Sequence, residues 1–569
     1  MEKPIIKWLN WEKESFDDAT RLDKPILLKI GATWCHWCHV MDDTTYSDPG
    51  VIEVVNRDFI PISVDNDSRP DVNERYNMGG WPTTAFLTPD GIPMMGGTYI
   101  PPSDFLRVST EVLRHYKENK GQIGVKPPQS IRAKIETDDL RWEIVEEIAG
   151  DVIDIFDSEH AGFGHSQKFP QPDFIDLLLI YSVRSRDSAF GAAATLTLDA
   201  MMEGEIWDLK RGGFYRYATK RDWSTPHYEK MLEDNSKLLS TYIDGYILTE
   251  DRRYLDTALQ IRDFLLEDLF DGAFYGSVDA DSKKVDRRIF TNWNGIAIKA
   301  FLKLFEVTSE KKDLDFAVEA SEKILDTLYT RGKGVLHEVS EGEIKLLSDQ
   351  VWFASALIDL YGMTGRKGYL EYEIDIVDFI LSEFRWVENG LFLDSIAEYD
   401  LGVPGDKRWK IDDNSVLSQV LIDLSLITGE EIYLDDAEEL LRRIWANYKA
   451  LGVFSAPFAI ALDKYLRLVR ILVFGSSDEI PSLMGSISEI FEPNKMLEIV
   501  DSSLDSIRLS ELGLSDKSGL YACKKGACLV LKGEDIKDGL KEFLGAPIGK
   551  AKTPSPKNEI VENKNSTGE

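Results

Sequence analysis

Cysteine is scarce in this chain. Its 569 residues hold four, Cys35, Cys38, Cys523 and Cys528, too few for a secreted disulfide scaffold. Positive charge is also short: 66 Lys and Arg stand against 99 Asp and Glu, a formal net charge of −33. That balance argues against a nucleic-acid partner, which needs a cationic footprint, and against an anionic membrane surface. No stretch approaches ~20 uninterrupted apolar residues, so no transmembrane helix is expected. The opening MEKPIIKWLNWEKES has no cationic region followed by an apolar run, so no secretory signal is expected and the default location is the cytoplasm. Core-forming residues are not lacking. Hydrophobic residues are 43% and aromatics 11%, which excludes wholesale disorder, and the length suits several domains.

The pattern along the chain predicts a multidomain protein, part α/β and part all-α. Residues 1–118 mix short apolar strand-type runs (Pro25–Ile30, Phe59–Val64, Trp81–Leu87) with helix signals. Residues 119–139 carry Gly, Pro, Gln and Lys without periodicity and read as a linker. Helical periodicity dominates 140–465, where a glycine followed by apolar or aromatic residues recurs at Gly162, Gly213, Gly272, Gly334, Gly390 and Gly452, about every 50–60 residues. Each interval holds two helices. Six helix pairs predict a closed (α/α)6 toroid, although an open array fits the spacing too. Residues 466–545 return to mixed strand and helix, a small α/β appendage, and 546–569 read as a disordered tail.

The two cysteine pairs differ in context. Trp34-Cys35-His36-Trp37-Cys38-His39 follows an apolar strand and opens a helix, the setting in which C-x-x-C reads as thioredoxin-like. The helix start favours a thiolate at Cys35, which a protonated His36 lowers further in pKa, and Cys38 is then the resolving thiol. Trp81-Pro82-Thr83 supplies a candidate cis-proline facing the cysteines. Six residues before Cys35, where redox-active thioredoxins bury an acid, stands Lys29. His36 or His39 is the substitute proton acceptor; otherwise the dithiol is structural or regulatory. Adjacent residues at one helix start do not converge on a tetrahedral ion, so no metal is expected at Cys35, His36, Cys38 and His39, and no cofactor is implied. Cys523 and Cys528, spaced C-x4-C around Lys524-Lys525-Gly526, read either as a buried hairpin pair or as a pair that exchanges with Cys35 and Cys38 or joins them at a metal.

The helical region carries polar clusters at loop-to-helix junctions. The densest runs from Arg216 through Trp223 to His227, Glu229, Asp234 and Asn235. Others hold Asp279 and Asp281, Trp293 and Asn294, Ser348-Asp349-Gln350, and Asp412-Asp413-Asn414. Helix capping accounts for Ser348, Asp349 and Asp412. His227, Glu229, Asp234, Asp279 and Asp281 are candidates for acid/base work, and His165, Arg216, Trp223, Asn235, Trp293 and Asn294 for ligand contact. Aromatic rings with carboxylates and a histidine suit a sugar.

The run Cys35-His36-Trp37-Cys38-His39-Val40-Met41, then Gly79-Gly80-Trp81-Pro82, Gly96-Gly97-Thr98-Tyr99, Lys168-Phe169-Pro170, Pro226 to Leu232, Asp279-Ala280-Asp281-Ser282, Trp293-Asn294-Gly295 and Tyr521-x-Cys523 resembles the spermatogenesis-associated-protein-20-like thioredoxin-domain family. The resemblance implies a thioredoxin-like domain and a six-hairpin, glycosidase-like toroid akin to sugar 2-epimerases, without a settled reaction. Three functions are therefore expected to compete. One is a thiol–disulfide redox protein acting on a protein disulfide through Cys35, Cys38, His36 and Pro82, with the toroid binding a target or ligand. The second is a carbohydrate-active enzyme, epimerase, isomerase or hydrolase, acting on a small sugar. The third is a non-enzymatic binding protein.

Overall fold

The computed structural model describes residues 5–119, 139–339, 344–396, 401–402, 407–514, 518–533 and 536–545. Most of the expected linker, and the expected tail, lie outside the described residues.

The N-terminal unit runs α1 (Lys13–Leu22), β1 (Ile26–Gly31), α2 (His36–Thr44), α3 (Pro49–Asp58), β2 (Ile60–Asp65), α4 (Pro70–Tyr76), β3 (Thr83–Leu87), β4 (Pro93–Gly97) and α5 (Pro102–Glu118). Ile26, Leu27, Leu28 and Ile30 are fully buried, so β1 has apolar side chains on both faces and takes a central place. The sheet order is β2-β1-β3-β4, with β1 parallel to β2 and antiparallel to β3, and β3 antiparallel to β4. Trp11, Phe16, Ile62 and Tyr76 pack on one face, and Met41, Val51, Val55 and Phe105 on the other. This is the thioredoxin-like arrangement, and the Trp81–Pro82 peptide is cis.

Twelve helices follow: α6 (Trp142–Asp154), α7 (Pro172–Ser185), α8 (Ser188–Glu203), α9 (Leu232–Thr249), α10 (Arg252–Leu269), α11 (Thr291–Thr308), α12 (Lys311–Thr327), α13 (Leu347–Thr364), α14 (Lys367–Glu383), α15 (Ile411–Thr428), α16 (Glu431–Trp445) and α17 (Ala456–Arg467). Helices α7, α9, α11, α13, α15 and α17 pack side by side, and α17 returns to α7. The array is therefore closed, an (α/α)6 toroid. The outer helices back this ring, and α6, first in sequence, backs α17, last in sequence. Sequence decides which helix lies inside. Leu347–Thr364 buries residues around its whole circumference, whereas Lys311–Thr327 buries the stripe Asp313, Ala317, Ala320, Ser321 and Ile324.

The recurring glycines all have positive φ: Gly162, Gly213, Gly272, Gly334, Gly390 and Gly452. Four of the loops they open are tied to the next inner helix by one amide side chain. Asn235 accepts from Phe214 N at 2.7 Å and donates to Phe214 O at 3.0 Å. Asn294 does the same to Phe274, Gln350 to Val335 and Asn414 to Phe392. These staples are fully buried.

The C-terminal unit has β5 (Val469–Gly475), α18 (Ile480–Ser488), β6 (Met496–Asp501), α19 (Ser506–Glu511), β7 (Gly519–Lys524), β8 (Ala527–Leu531) and α20 (Ile536–Gly545). Its sheet order is β6-β5-β7-β8, with β5 parallel to β6 and antiparallel to β7, and β7 antiparallel to β8. Strand order and senses repeat those of the N-terminal sheet. The segment after β5, Ser476-Ser477-Asp478-Glu479, has no cysteine. Cys523 and Cys528 are instead cross-strand partners on β7 and β8, joined by a disulfide. No described helix is long and apolar enough to cross a membrane.

Candidate functional site

Cys35 caps the N-terminus of α2, and Cys35 and Cys38 form a disulfide. They are only 7% and 3% exposed. Lys29, beneath the pair on β1, is ion-paired to Asp42 and has the Trp8 and Tyr46 rings within 5.6 Å and 5.5 Å of its ammonium. Its charge is thus compensated locally. Trp34 donates its indole N–H to Asp67 at 2.7 Å. Burial, then the neighbouring Asp65, push the Asp67 carboxyl up to about 7.

The toroid covers this face. Met231 and Trp293 pack against Cys35, Cys38, Trp34 and Trp81 in one apolar cluster. The Arg216 guanidinium lies 4.3 Å from the Trp34 ring centre and 5.2 Å from that of Trp81. Around the rim, His36 Nδ1 meets Asp281 at 2.7 Å and Thr33 donates to Asp286 at 2.9 Å. Arg288 donates to Asp65 at 2.8 Å and to Ser68 at 2.6 Å while also binding Asp286. His337, fully buried, contacts Asp349 at 2.9 Å and the Asp67 carbonyl at 2.6 Å.

Of the sequence candidates from the toroid, Asp281 meets His36 directly, His227 feels its charge, and Arg216 lies 3.9 Å from Glu229. His227 stacks on Tyr217 at 4.5 Å, Tyr217 stacks on Phe169 at 4.6 Å, and His227 Nδ1 lies 3.8 Å from Glu229. Burial, then Arg216 and His36, lower the His227 pKa. Burial raises that of Glu229, helped by Asp279 and Asp281 and opposed by Arg216. Trp293 touches the same cluster from the apolar side.

Other candidates have different roles. Asn235 and Asn294 do not face a ligand, because both ends of each amide are held by backbone in the loop staples. Trp223 is 2% exposed and hydrogen-bonds His160 O at 3.0 Å, filling space beside Gly162 and Gly204. His165 stands apart from the cluster, with its side chain 65% exposed and near Asp157 and Arg221. Asp279 Oδ1 accepts from Asp281 N and from Ser282, holding its own loop. Asp234 makes no hydrogen bond among the described residues, and burial, then Glu233, push it up to about 7. Cys523 and Cys528 neither reach Cys35 nor share a metal with it. Their sheet belongs to the unit at the other end of the toroid, where Lys495 pairs with Glu306 at 2.8 Å and Tyr361 bonds Glu498 at 3.2 Å.

Between the two caps the inner helices enclose a cavity of about 550 Å3. The second residue of each inner helix, Asp173, Glu233, Asn292, Ser348, Asp412 and Pro457, lines it. All six helix N-termini therefore face the thioredoxin-like unit, whose Asn66, Pro70, Asn73, Glu74 and Trp81 cover that mouth. Glu492, Asn494 and Lys495 of the C-terminal unit line the opposite end. Trp81 and Trp293 border both the cavity and the disulfide cluster, so the two sites share a wall. Sequence reading missed Met231, Arg288 and Asp67 as site residues, and it took Ser348 and Asp412 as helix caps, whereas both are the second residues of their helices and line the cavity. The ring had a signal: the same position, two residues into a helix, in every repeat.

Residues 1–134 match a family model named Thioredox_DsbH and described as a protein of unknown function, DUF255. Spermatogenesis-associated protein 20 of Homo sapiens is 24% identical over 92% of this chain and 88% of its own length. The chain is similar to spermatogenesis-associated protein 20 along nearly its whole length. A shorter match, 31% identical over 21% of this chain and 31% of the other, is to cellobiose 2-epimerase of Eubacterium cellulosolvens. Among solved structures, cellobiose 2-epimerase from Bacillus thermoamylovorans B4167 aligns over 55% of this chain and 86% of its own, with a TM-score of 0.48 at 14% identity.

Proposed function

We propose that this protein carries out thiol–disulfide exchange at Cys35, with the toroid holding a small ligand directly behind the exchange site. The observation that supports this reading is the shared cluster: a helix-capping cysteine pair in a thioredoxin-like sheet, in contact with Met231 and Trp293 of the toroid. Met231 and Trp293 cover the pair, so exchange requires that contact to open; in the reduced protein the Cys35 thiolate then attacks a substrate disulfide, forming a mixed disulfide and releasing one substrate thiolate. Cys38, deprotonated, attacks Cys35 Sγ, re-forming the Cys35–Cys38 bond and releasing the second. Two electrons pass to the substrate, and the two thiol protons are taken up by the released thiolates. With Lys29 tied to Asp42, His36 or His39, which adjoin Cys35 and Cys38 in sequence, takes the Cys38 proton. The cytoplasm, where thiols are kept reduced, is the proposed setting.

Cys38→Ser is expected to accumulate a mixed disulfide with a peptide disulfide substrate, detected by non-reducing mass spectrometry, and Cys35→Ser is expected to form none. Absence of any trapped species, together with no dithiol turnover by the unmodified protein, overturns the reading.

A second reading, carbohydrate-active chemistry in the toroid, draws support from the 31% identical segment of a cellobiose 2-epimerase. It differs in one measurable respect: it requires deuterium from D2O to enter an aldose or ketose, or a glycoside to be cleaved.

A further inference from the structure

The Cys35–Cys38 pair is roofed, and the roof has two parts of unequal mobility. The first is the join between the thioredoxin-like unit and the toroid. Arg75 donates to Asp394 at 3.0 and 3.1 Å, and Asp394 is almost fully buried. Arg288 reaches Asp65 at 2.8 Å and Ser68 at 2.6 Å, and the buried His337 lies 2.6 Å from the Asp67 carbonyl. Lys410 adds a pair with Glu74 at 3.3 Å. Lifting the unit off the ring breaks these together and leaves buried charges without partners, so it is costly.

The second part is a single side chain. Met231 is buried and belongs to the apolar cluster of Cys35 and Cys38. Its backbone is fixed, because it pairs with Ser277 and its carbonyl accepts from Asn235 Nδ2 at 3.0 Å. Its side chain is unbranched, with three rotatable bonds and a thioether, and forms no hydrogen bond that turning it would break. The other covering groups are held. Trp293 packs on Phe290 with ring centres 4.7 Å apart. Trp81 donates its indole N–H to Asn73 at 3.0 Å, and the Arg216 guanidinium lies 5.2 Å from its ring centre. Met231 is therefore the part of the roof that moves at least cost.

Turning one side chain opens a passage one side chain wide. Solvent already reaches the rim beside it, where His36, Trp37, Tyr228 and Asp281 are about half exposed. A disulfide in a folded protein brings with it the main chain on either side of its cysteines. The surface on which such a chain would lie, beside the cis peptide Trp81–Pro82, is taken up by Arg216 and Trp293 of the toroid. We infer that the exchange site takes low-molecular-mass disulfides, whose sulfurs carry short flexible substituents, and excludes disulfides of folded proteins, with Met231 as the moving part. This rests on the exchange reading above and adds its substrate class. In each turnover the Cys35 thiolate attacks one sulfur of the small disulfide and releases the first thiolate, and Cys38 displaces the second. The chain loses two electrons and two protons, and the small disulfide gains both and leaves as two thiols. A dithiol reductant returns the chain to its reduced form.

The test uses the full chain, reduced and freed of reductant, with glutathione disulfide, hydroxyethyl disulfide and insulin as separate oxidants. Formation of Cys35–Cys38 is read by quenched peptide mass spectrometry, which separates it from Cys523–Cys528. Each rate is divided by that of dithiothreitol with the same disulfide, which removes differences in intrinsic reactivity. On that scale the two small disulfides are expected to react at least about a hundredfold faster than insulin, which must wait for the two units to part. Met231→Ala is expected to speed both small disulfides severalfold and to leave insulin excluded. Insulin matching the small disulfides overturns this substrate class while leaving exchange standing, whereas no oxidation of the pair by any of the three overturns both readings. A folded Met231→Ala chain that is no faster with the small disulfides, or that gains equally with insulin, overturns the route past Met231.

Discussion

Asp413, like Asp67 and Asp234, is a buried acid whose folded-state environment favours the neutral form. Burial pushes its carboxyl to about 7, so the native state holds this proton more tightly than the unfolded chain does. Its contribution to stability is therefore undiminished below the unfolded value of about 4, falls as pH rises towards 7, and stays reduced above that. Asp413→Asn removes the titration. It is expected to raise the unfolding free energy at pH 8 by on the order of 1–3 kcal/mol, and to leave it unchanged near pH 4. A pH series of denaturant melts checks this, and an equal gain at both pH values would show that titration is not the cause. Legibility at this scale was uneven. Cys35, His36 and Pro82 were readable because their neighbours in sequence are also their neighbours in space. Asn235 and Asn294 were not, because sequence does not reveal that an amide turns back onto a loop some 20 residues earlier. Met231 and Arg288 became visible only when the thioredoxin-like face met the toroid.

The repeating element is a loop on a glycine hinge, closed by an amide. Gly213 shows why the hinge is glycine. Its φ is 77°, and an added Cβ would lie 2.6 Å from Phe264 Cδ1 and 3.0 Å from Asn235 Oδ1, the atom that holds the loop. Gly213→Ala is expected to cost more than about 2 kcal/mol through the left-handed backbone and the clash together. Hydrogen exchange should show lost protection at Phe214 and the start of α9, while the C-terminal sheet stays unchanged. The recurrence of such glycines is what made the six-fold toroid readable in advance, since it is a local signal. The order β6-β5-β7-β8 was not readable. A strand run says little about its partners, so only the structure reveals that the appendage repeats the strand order and senses of the N-terminal sheet.

The whole molecule is a ring with a thioredoxin-like unit at one mouth and a second sheet unit at the other. The contacts at the first mouth include Arg75, which donates to Asp394 at 3.0 and 3.1 Å, with Asp394 only 4% exposed. Surface pairs such as His36 with Asp281 add little, whereas removing one partner of a buried pair costs about 3–5 kcal/mol. Arg75→Ala is therefore expected to loosen this cap. Hydrogen exchange should rise at Pro70–Tyr76 and at the first turns of the inner helices and stay constant in the sheet of β5 to β8. Uniform change across the molecule would instead mean general destabilisation. Trp81 and Trp293 belong to both the cavity wall and the disulfide cluster, so the two sites share these side chains.

The seam of the ring has a consequence for how the protein is made. Helices α6 and α7 emerge first, yet their neighbour α17 is some 280 residues further along. At about 5–20 residues per second, a ribosome needs roughly tens of seconds to deliver it. For that interval α7 lacks the neighbour that covers its flank in the finished ring, and the half-built ring is the stage at which misassembly with another copy is easiest. The acidic composition that first excluded polyanion partners also keeps such nascent chains apart, through mutual repulsion, until the last helix arrives.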